Sequence, residues 1–235
     1  MKKIWIFLIV IVVILLLFIA SFLYNPYKSI LLWNPVVKYF GKDKNLDDMM
    51  KNLYNQKEIF INEFINAQLF HNEIIKPTSS INKYEEILSG ADFYKWKTAP
   101  VRYMGHWRNQ DIFPNTIKIL NQYDYCLSNT YFSIMEPGKI LPFHYGLYAG
   151  TQRMHIPLII PPGNASLELL DGTIYSWNNG PFWFHDYKYH RAWNLTEGQR
   201  VVLIIDIIMD LPPVIKQIND LMFIASTHFS DRMIN

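Results

Sequence analysis

Two histidines lie 46 positions apart, His144 in Pro142-Phe-His-Tyr-Gly146 and His190 in Phe184-His-Asp-Tyr-Lys-Tyr-His190. Ten positions further on, Arg200 opens a strongly apolar run. Paired imidazoles suit a borderline divalent metal such as iron. A guanidinium held near them suits a dicarboxylate whose one end chelates the metal and whose other end meets the arginine fork. The chemistry such a set serves is oxidative. A histidine alone is most often an ordinary surface or core residue, so the weight falls on the conjunction of the three.

Elements that could bring them together follow from the texture of the chain. From Cys126 onward it consists of short runs rich in Ile, Val, Phe, Tyr and Leu, parted by turn signals at Pro137-Gly138, Pro161-Pro-Gly163, Asp171-Gly172 and Asn178-Asn-Gly180. Regularly spaced strands of this kind predict a jelly roll with about eight strands between 126 and 210. Leu167 to Tyr175 reads as a hairpin. In a jelly roll early and late strands pair side by side, so His144 and His190 could meet, although spacing does not prove it. Leu211-Pro-Pro213 ends the last strand, and Val214 to Ile224 reads as a closing helix.

Before this region, Leu46 to Phe70 carries apolar residues at mostly three- and four-residue spacing, which predicts one or two amphipathic packing helices. His71 to Ala99 is polar and loop-like, Ala99 to Trp107 a candidate strand, and Pro114 to Gln122 a helix with proline in its first turn. The division expected is 1–24 as a membrane anchor, 25–125 as a juxtamembrane and helical flank, 126–212 as the catalytic core, and 213–235 as a C-terminal helix and tail.

From Phe132 to Pro212 the chain resembles the aspartyl/asparaginyl β-hydroxylase family, a branch of the Fe(II)- and 2-oxoglutarate-dependent dioxygenases. The stretches that carry the resemblance are Phe132-Ser-Ile-Met-Glu-Pro-Gly138, Pro142-Phe-His-Tyr-Gly146, Arg153-Met-His155 running on to Pro161, Trp177-Asn-Asn-Gly180, Phe184-His-Asp186 with His190, and Gln199-Arg200 running on to Asp206. Six short motifs in order cover about a third of the chain. The resemblance implies a mainly β fold, a double-stranded β-helix (jelly roll) with flanking helices, and Fe(2+), 2-oxoglutarate and O2 as cofactor and co-substrates.

It further implies His144 and His190 as metal ligands, with Gly146 where most of the superfamily has a carboxylate. Arg200 would take the distal carboxylate of 2-oxoglutarate. Ser133 and Met135 would lie along it, and Arg153 and His155 would approach its metal-bound end. Asp186 would orient a metal-bound water. For Arg153 and His155 the residues alone favour an outward strand pair. His185, where the family commonly has aspartate, reads either as a surface residue or as a third nitrogen near the metal. Pro157, where a glycine is expected, would stiffen its strand. Tyr145, Tyr148, Trp177, Trp183 and Trp193 are candidate pocket walls, and as a group more often core.

The composition bounds the rest. The chain has 235 residues, enough for one ordinary domain. A net charge of +2 gives no field that suggests nucleic acid. One cysteine, Cys126, excludes an intrachain disulfide and a thiolate cluster. Ile4 to Leu23 is an almost unbroken apolar run, long enough as a helix to span roughly 30 Å of bilayer core, and it lacks a good signal-peptidase site. The expectation is a single-pass signal-anchor. Lys2 and Lys3 before the run place the catalytic domain on the non-cytoplasmic side. The substrate expected is a protein or lipid at a membrane: an Asp or Asn side chain first, because of Gly146, with a lipid acyl chain as the alternative. A silent jelly-roll binding module is a third reading, which the retained Arg200 opposes.

Overall fold

The computed structural model describes residues 26–78, 90–146 and 148–221. No helix among them is long and apolar enough to cross a membrane, and the expected span from Ile4 to Leu23 lies outside the described residues. The chain divides into two compact units, Met1–Lys42 with Leu147–Gly150 and Asp210–Asn235, and Asp43–Gly146 with Thr151–Met209.

In the first unit, α1 (Pro26–Phe40) and a helix at 213–221 share one buried side chain, Asn219. Its Oδ1 accepts from the Trp33 indole at 3.2 Å and from the Tyr148 hydroxyl. Asn34 accepts from the Ala149 N–H at 2.8 Å. Lys42 and Asp210 close the unit with a two-residue antiparallel bridge.

The second unit holds the predicted jelly roll. Its large sheet runs in the order β1 (Lys76–Pro77), β2 (Trp96–Tyr103), β4 (Leu127–Met135), β11 (Arg200–Ile208), β6 (Thr151–Ile159), β9 (Phe182–Phe184), with β3 (His106–Trp107) paired on β2. The small sheet runs β5 (Lys139–His144), β10 (His190–Asn194), β7 (Ala165–Leu169), β8 (Ile174–Ser176). The expected hairpin is the β7–β8 pair, with Leu167 opposite Tyr175. Before Cys126, β1, β2 and β3 widen the large sheet, and β2 pairs along β4 from Trp96 to Arg102.

β11 explains how both faces of the large sheet are used. It is central, flanked by β4 and β6, so its residues alternate between two buried faces and read as one apolar run. Val201, Leu203, Ile205 and Ile207 join the core under the helices. Val202 and Ile204 join the core between the two sheets, with Met135, Leu141, Trp177, Phe182 and Phe184. By the period of two, Arg200 and Asp206 share that inner face.

The helical layer follows from its spacing. α2 (Asp47–Asn55) buries Met49 and Leu53, and α3 (Lys57–Phe70) buries Phe60, Glu63, Phe64 and Ala67, one stripe of a 3.6-residue period. Phe64 lies 5.3 Å from the ring of Phe132 on β4, and truncating it to alanine would cost about 3–5 kcal/mol. Buried Glu63 is there for a different reason. Its carboxylate accepts the N–H groups of Asn115 and Thr116, both at 2.8 Å, in the first turn of α4 (Pro114–Leu120). Those donors have no partner inside their own helix.

Pro157 falls on β6 where its missing N–H does least harm. β9 pairs β6 only from Arg153 to His155, and the β11 register shifts beside Pro157, between Val201 and Val202.

Candidate metal and co-substrate site

β5 and β10 pair antiparallel with His144 directly opposite His190, and the register shifts immediately after His190. Such a bulge re-aims the side chain at its edge. The imidazole centroids stand 4.2 Å apart at 54°. The Nδ1 of His144 meets the carbonyl of Pro142 and that of His190 the carbonyl of Lys188, each at 2.7 Å. A carbonyl accepts only, so each Nδ1 carries the proton and each Nε2 keeps its lone pair. Burial first, then the neighbouring His190, lowers the pKa of His144 to about 4. Burial also takes His190 to about 4, against the opposing carbonyl of Lys188. Both rings are therefore neutral at physiological pH, the state a metal requires.

Asp186 stands beside this pair. Its Oδ1 is 3.7 Å from His190 Nε2, and its carboxylate fills the place a side chain on residue 146 would take. A Cβ built on Gly146 would lie 1.7 Å from Asp186 Oδ2. The backbone locks the two together, with Gly146 N–H donating to Asp186 O at 2.7 Å. Gly146 thus has a steric reason that owes nothing to the substrate.

Arg153, expected near the co-substrate, is committed to carboxylates. Its Nη1 donates to Asp186 Oδ1 at 2.6 Å, and its Nε and Nη2 donate to Asp206 at 2.7 and 3.0 Å. Burial would lower its pKa, but Asp186 and Asp206 outweigh that and raise it. Burial pushes the Asp186 carboxyl up, only partly opposed by Arg153. Asp206 had drawn no expectation, yet the signal was there: an acid in a strand buried on both faces needs a cation.

Arg200 lies at the other end of β11. It is 2% exposed, and its Nη1 donates to the carbonyl of Ser133 at 3.2 Å and to the Ser133 hydroxyl at 3.4 Å. Its Nε is buried without a hydrogen-bond partner among the described residues. Burial lowers its pKa to about 9. No ion pair with a described carboxylate offsets that burial, whereas Arg153 has two. Met135 sits opposite Arg200 across β4, and the Trp96 indole donates to the Ser133 hydroxyl at 3.3 Å. The Arg200 guanidinium lies over the Trp177 ring, 4.5 Å from its centroid.

His155 faces the same inner layer and is 4% exposed. Its Nδ1 accepts from the Trp177 indole at 3.1 Å, and its Nε2 is buried with no partner among the described residues. Two strands of the large sheet thus carry orphaned donors into the space between the sheets.

His185 points elsewhere. Its Nε2 meets Asp43 at 3.2 Å, and its ring lies edge-on to Trp183, so the structure shows it paired away from the two imidazoles. Of the expected aromatic walls, Trp177 is in the inner core and Trp183 packs against the helix-side core. Tyr148 belongs to the first unit. Trp193 and Tyr145 belong to an outward ladder on the small sheet. Tyr145 and Tyr189, each next to a histidine of the pair, lie 6.1 Å apart. Tyr189 stacks on Phe143 at 5.5 Å, and Arg191 spans Phe143 and Trp193 at 5.0 and 5.4 Å. Tyr145 is 46% exposed, Tyr189 42% and Ile140 53%. Asn194 is fully buried, its amide donating to the carbonyls of Met135 and Gly198.

These residues fit a ferrous ion with a 2-oxo diacid. Two neutral imidazoles offer Nε2 lone pairs, a carboxylate stands next to them, and an arginine with no counter-ion among the described residues lies at the far end of a strand. No group of three or more His, Cys, Asp or Glu able to hold a metal occurs among the described residues.

Over 121 residues, 50% of this chain and 43% of the other, the sequence is 38% identical to an ornithine lipid ester-linked acyl 2-hydroxylase of Rhizobium tropici. The match thus spans less than half the length of that curated relative. Among solved structures, a prolyl-4-hydroxylase of Pseudomonas putida aligns at 12% identity over 66% of this chain and 88% of its own, with a TM-score of 0.42. A 2OG-Fe(II) oxygenase family oxidoreductase of Burkholderia pseudomallei aligns at 8% identity over 48% of this chain and 67% of its own, with a TM-score of 0.39. The profile of the aspartyl/asparaginyl β-hydroxylases matches residues 60–209, which take in both histidines, Asp186 and Arg200, and the chain belongs to that family.

Proposed function

We propose that this protein is an Fe(II)- and 2-oxoglutarate-dependent dioxygenase that hydroxylates a carbon of a lipid acyl chain. The observation that carries the reading is the pairing of His144 and His190, each with Nδ1 capped by a carbonyl, with Arg200 buried on the inner face and no carboxylate partner for it among the described residues. His144 and His190 would hold the iron. Iron bound there supplies activation of dioxygen, coupled to conversion of 2-oxoglutarate to succinate and carbon dioxide, with one oxygen atom passing to a substrate C–H.

The chain's own residues bind and orient. Arg200 and the Ser133 hydroxyl receive the distal carboxylate as a charge-assisted pair. Asp186, held by Arg153, would orient a water beside the two histidines by accepting its hydrogen bond. Trp177, Phe182 and Phe184 exclude bulk water from the space between the sheets.

The substrate class is supported by the 38% identity to an acyl hydroxylase and by exposed Tyr145 and Tyr189, with half-buried Phe143 stacked on Tyr189, beside the two histidines, which suits an apolar chain. An Asp or Asn side chain was expected because of Gly146. Asp186 now accounts for that glycine, which removes the preference. We further propose that residues 4–23 anchor the chain in the bilayer, with the catalytic unit on the non-cytoplasmic side.

The test uses the purified full-length protein with Fe(II), 2-oxoglutarate and oxygen. Succinate release is expected, and loss of it in His144→Ala and Arg200→Ala. Background succinate in the wild type would overturn the enzyme reading. Mass spectrometry of lipids and proteins from cells with and without the protein decides the substrate; an added oxygen on a peptide and none on lipid would overturn the acyl reading.

A further inference from the structure

We propose that Trp177 is a positioning residue that holds both orphaned donors of the inner pocket, and that its indole N–H fixes His155 as an Nε2–H donor. An indole N–H donates and never accepts, so the ring nitrogen it meets must be the one bearing the lone pair. That nitrogen is His155 Nδ1, at 3.1 Å, and the two rings are nearly coplanar, with 5° between their planes. The proton of neutral His155 is thereby placed on Nε2, the buried atom that has no partner among the described residues.

The surroundings keep the ring from turning over. Phe182 stacks on it at 5.0 Å, and Phe184 meets it edge-on at 5.5 Å. Trp177 is held in turn. It opens a single 3-10 turn, Trp177–Asn179, and Asn178 donates to the Gly163 carbonyl at 3.0 Å.

The face of the same indole carries the Arg200 guanidinium at 4.5 Å. One side chain therefore sets two donors, a cation by its π face and a neutral imidazole by its edge. Together they make the pocket an acceptor of carboxylate. With Nδ1 occupied, His155 serves there as a hydrogen-bond donor and neither as a base nor as a ligand to a metal through that atom. That the carboxylate belongs to 2-oxoglutarate rests on the function proposed above; the tautomer does not.

The two parts are tested separately. In the metal-free, 15N-histidine-labelled full-length protein, long-range 1H–15N correlation should show His155 protonated on Nε2 alone. Trp177→Phe keeps a flat ring and removes the N–H. It should shift His155 toward the other tautomer and weaken 2-oxoglutarate binding in the Mn(II)-loaded protein roughly tenfold, the loss of about one hydrogen bond to a charged group. Mn(II) affinity itself should not move. Wild-type His155 protonated on Nδ1 would overturn the proposal, as would a Trp177→Phe protein with unchanged His155 signals and unchanged 2-oxoglutarate affinity. A wild type that shows the stated tautomer yet binds no 2-oxoglutarate supports the lock and overturns the co-substrate reading instead.

Discussion

Gly146 and Asp186 contend for one place. A Cβ on Gly146 would come within 1.7 Å of Asp186 Oδ2 and 2.4 Å of its Cγ, so glycine is required two positions after His144 because a carboxylate arrives there from the β9–β10 connection. Gly146→Ala must push Asp186 off Arg153 or shift the backbone, and is expected to destabilise the fold by about 1–3 kcal/mol. Gly146→Ala/Asp186→Gly should recover part of that loss. Urea unfolding of the two single variants and the double variant measures the coupling; strictly additive effects would sink the steric account.

Asp206 and Arg153 form the buried pair that holds Asp186. Asp206→Ala leaves Arg153 with one carboxylate and is expected to cost about 3–5 kcal/mol, the range for breaking a buried pair from one side. Metal affinity should fall as well, because Asp186 loses its fixed partner. Denaturation midpoints and Mn(II) titration check the two effects independently.

Arg200 shows the opposite balance. Its charge is buried without a carboxylate partner among the described residues, so Arg200→Met should leave the ligand-free protein as stable as the wild type or more so. The same change should weaken 2-oxoglutarate binding at least tenfold, since a charge-assisted pair is lost. A thermal melt alongside a binding titration would show the divergence; a large loss of stability would mean that Arg200 is a structural residue.

His144 and His190 should make the ligand-free protein acid-sensitive. Their pKa in the folded state is held at about 4, against about 6.5 in the unfolded chain. Between those values the unfolded chain binds more protons, so stability rises with pH through that window and is fully present above it. Lowering the pH from 7 to 4.5 should lower the urea midpoint of metal-free protein, and His144→Gln/His190→Gln should flatten the slope. Buried His155, also held below its ordinary value, contributes to the same rise, and burial raises Asp186, so the double variant should flatten the slope in part.

Much of the site was legible because its residues obey simple periods. His144 and His190 stand at strand ends bounded by turn residues, and the motif order placed Arg200 at the head of a run whose inner positions fall at even intervals. What could not be read were contacts set by tertiary placement. Nothing in Phe184-His-Asp186 tells which of His185 and Asp186 turns inward; the β9–β10 turn decides it, sending His185 to Asp43 and Asp186 to Arg153. Arg153 reads as an anion binder until Asp206, 53 residues later in sequence, comes to lie across from it. Of the three strands before Cys126 among the described residues, β2 carries a weak period-two signal interrupted by Pro100 and joins the sheet because β4 offers an open edge, and β1 and β3 pair on β2.

β11 has a consequence for how this protein can change over time. Arg200 and Asp206 stand on one strand at an even interval and face the same layer, one waiting for an anion and the other holding the pin of a carboxylate. Either side chain can be exchanged at the cost of its own contacts. A single residue inserted or deleted between them would turn one of the two into the helix-side core, among apolar side chains such as Phe64 and Phe132. Drift in this protein is therefore confined to substitutions along β11, and changes of length fall to the loops that never cross the sheet.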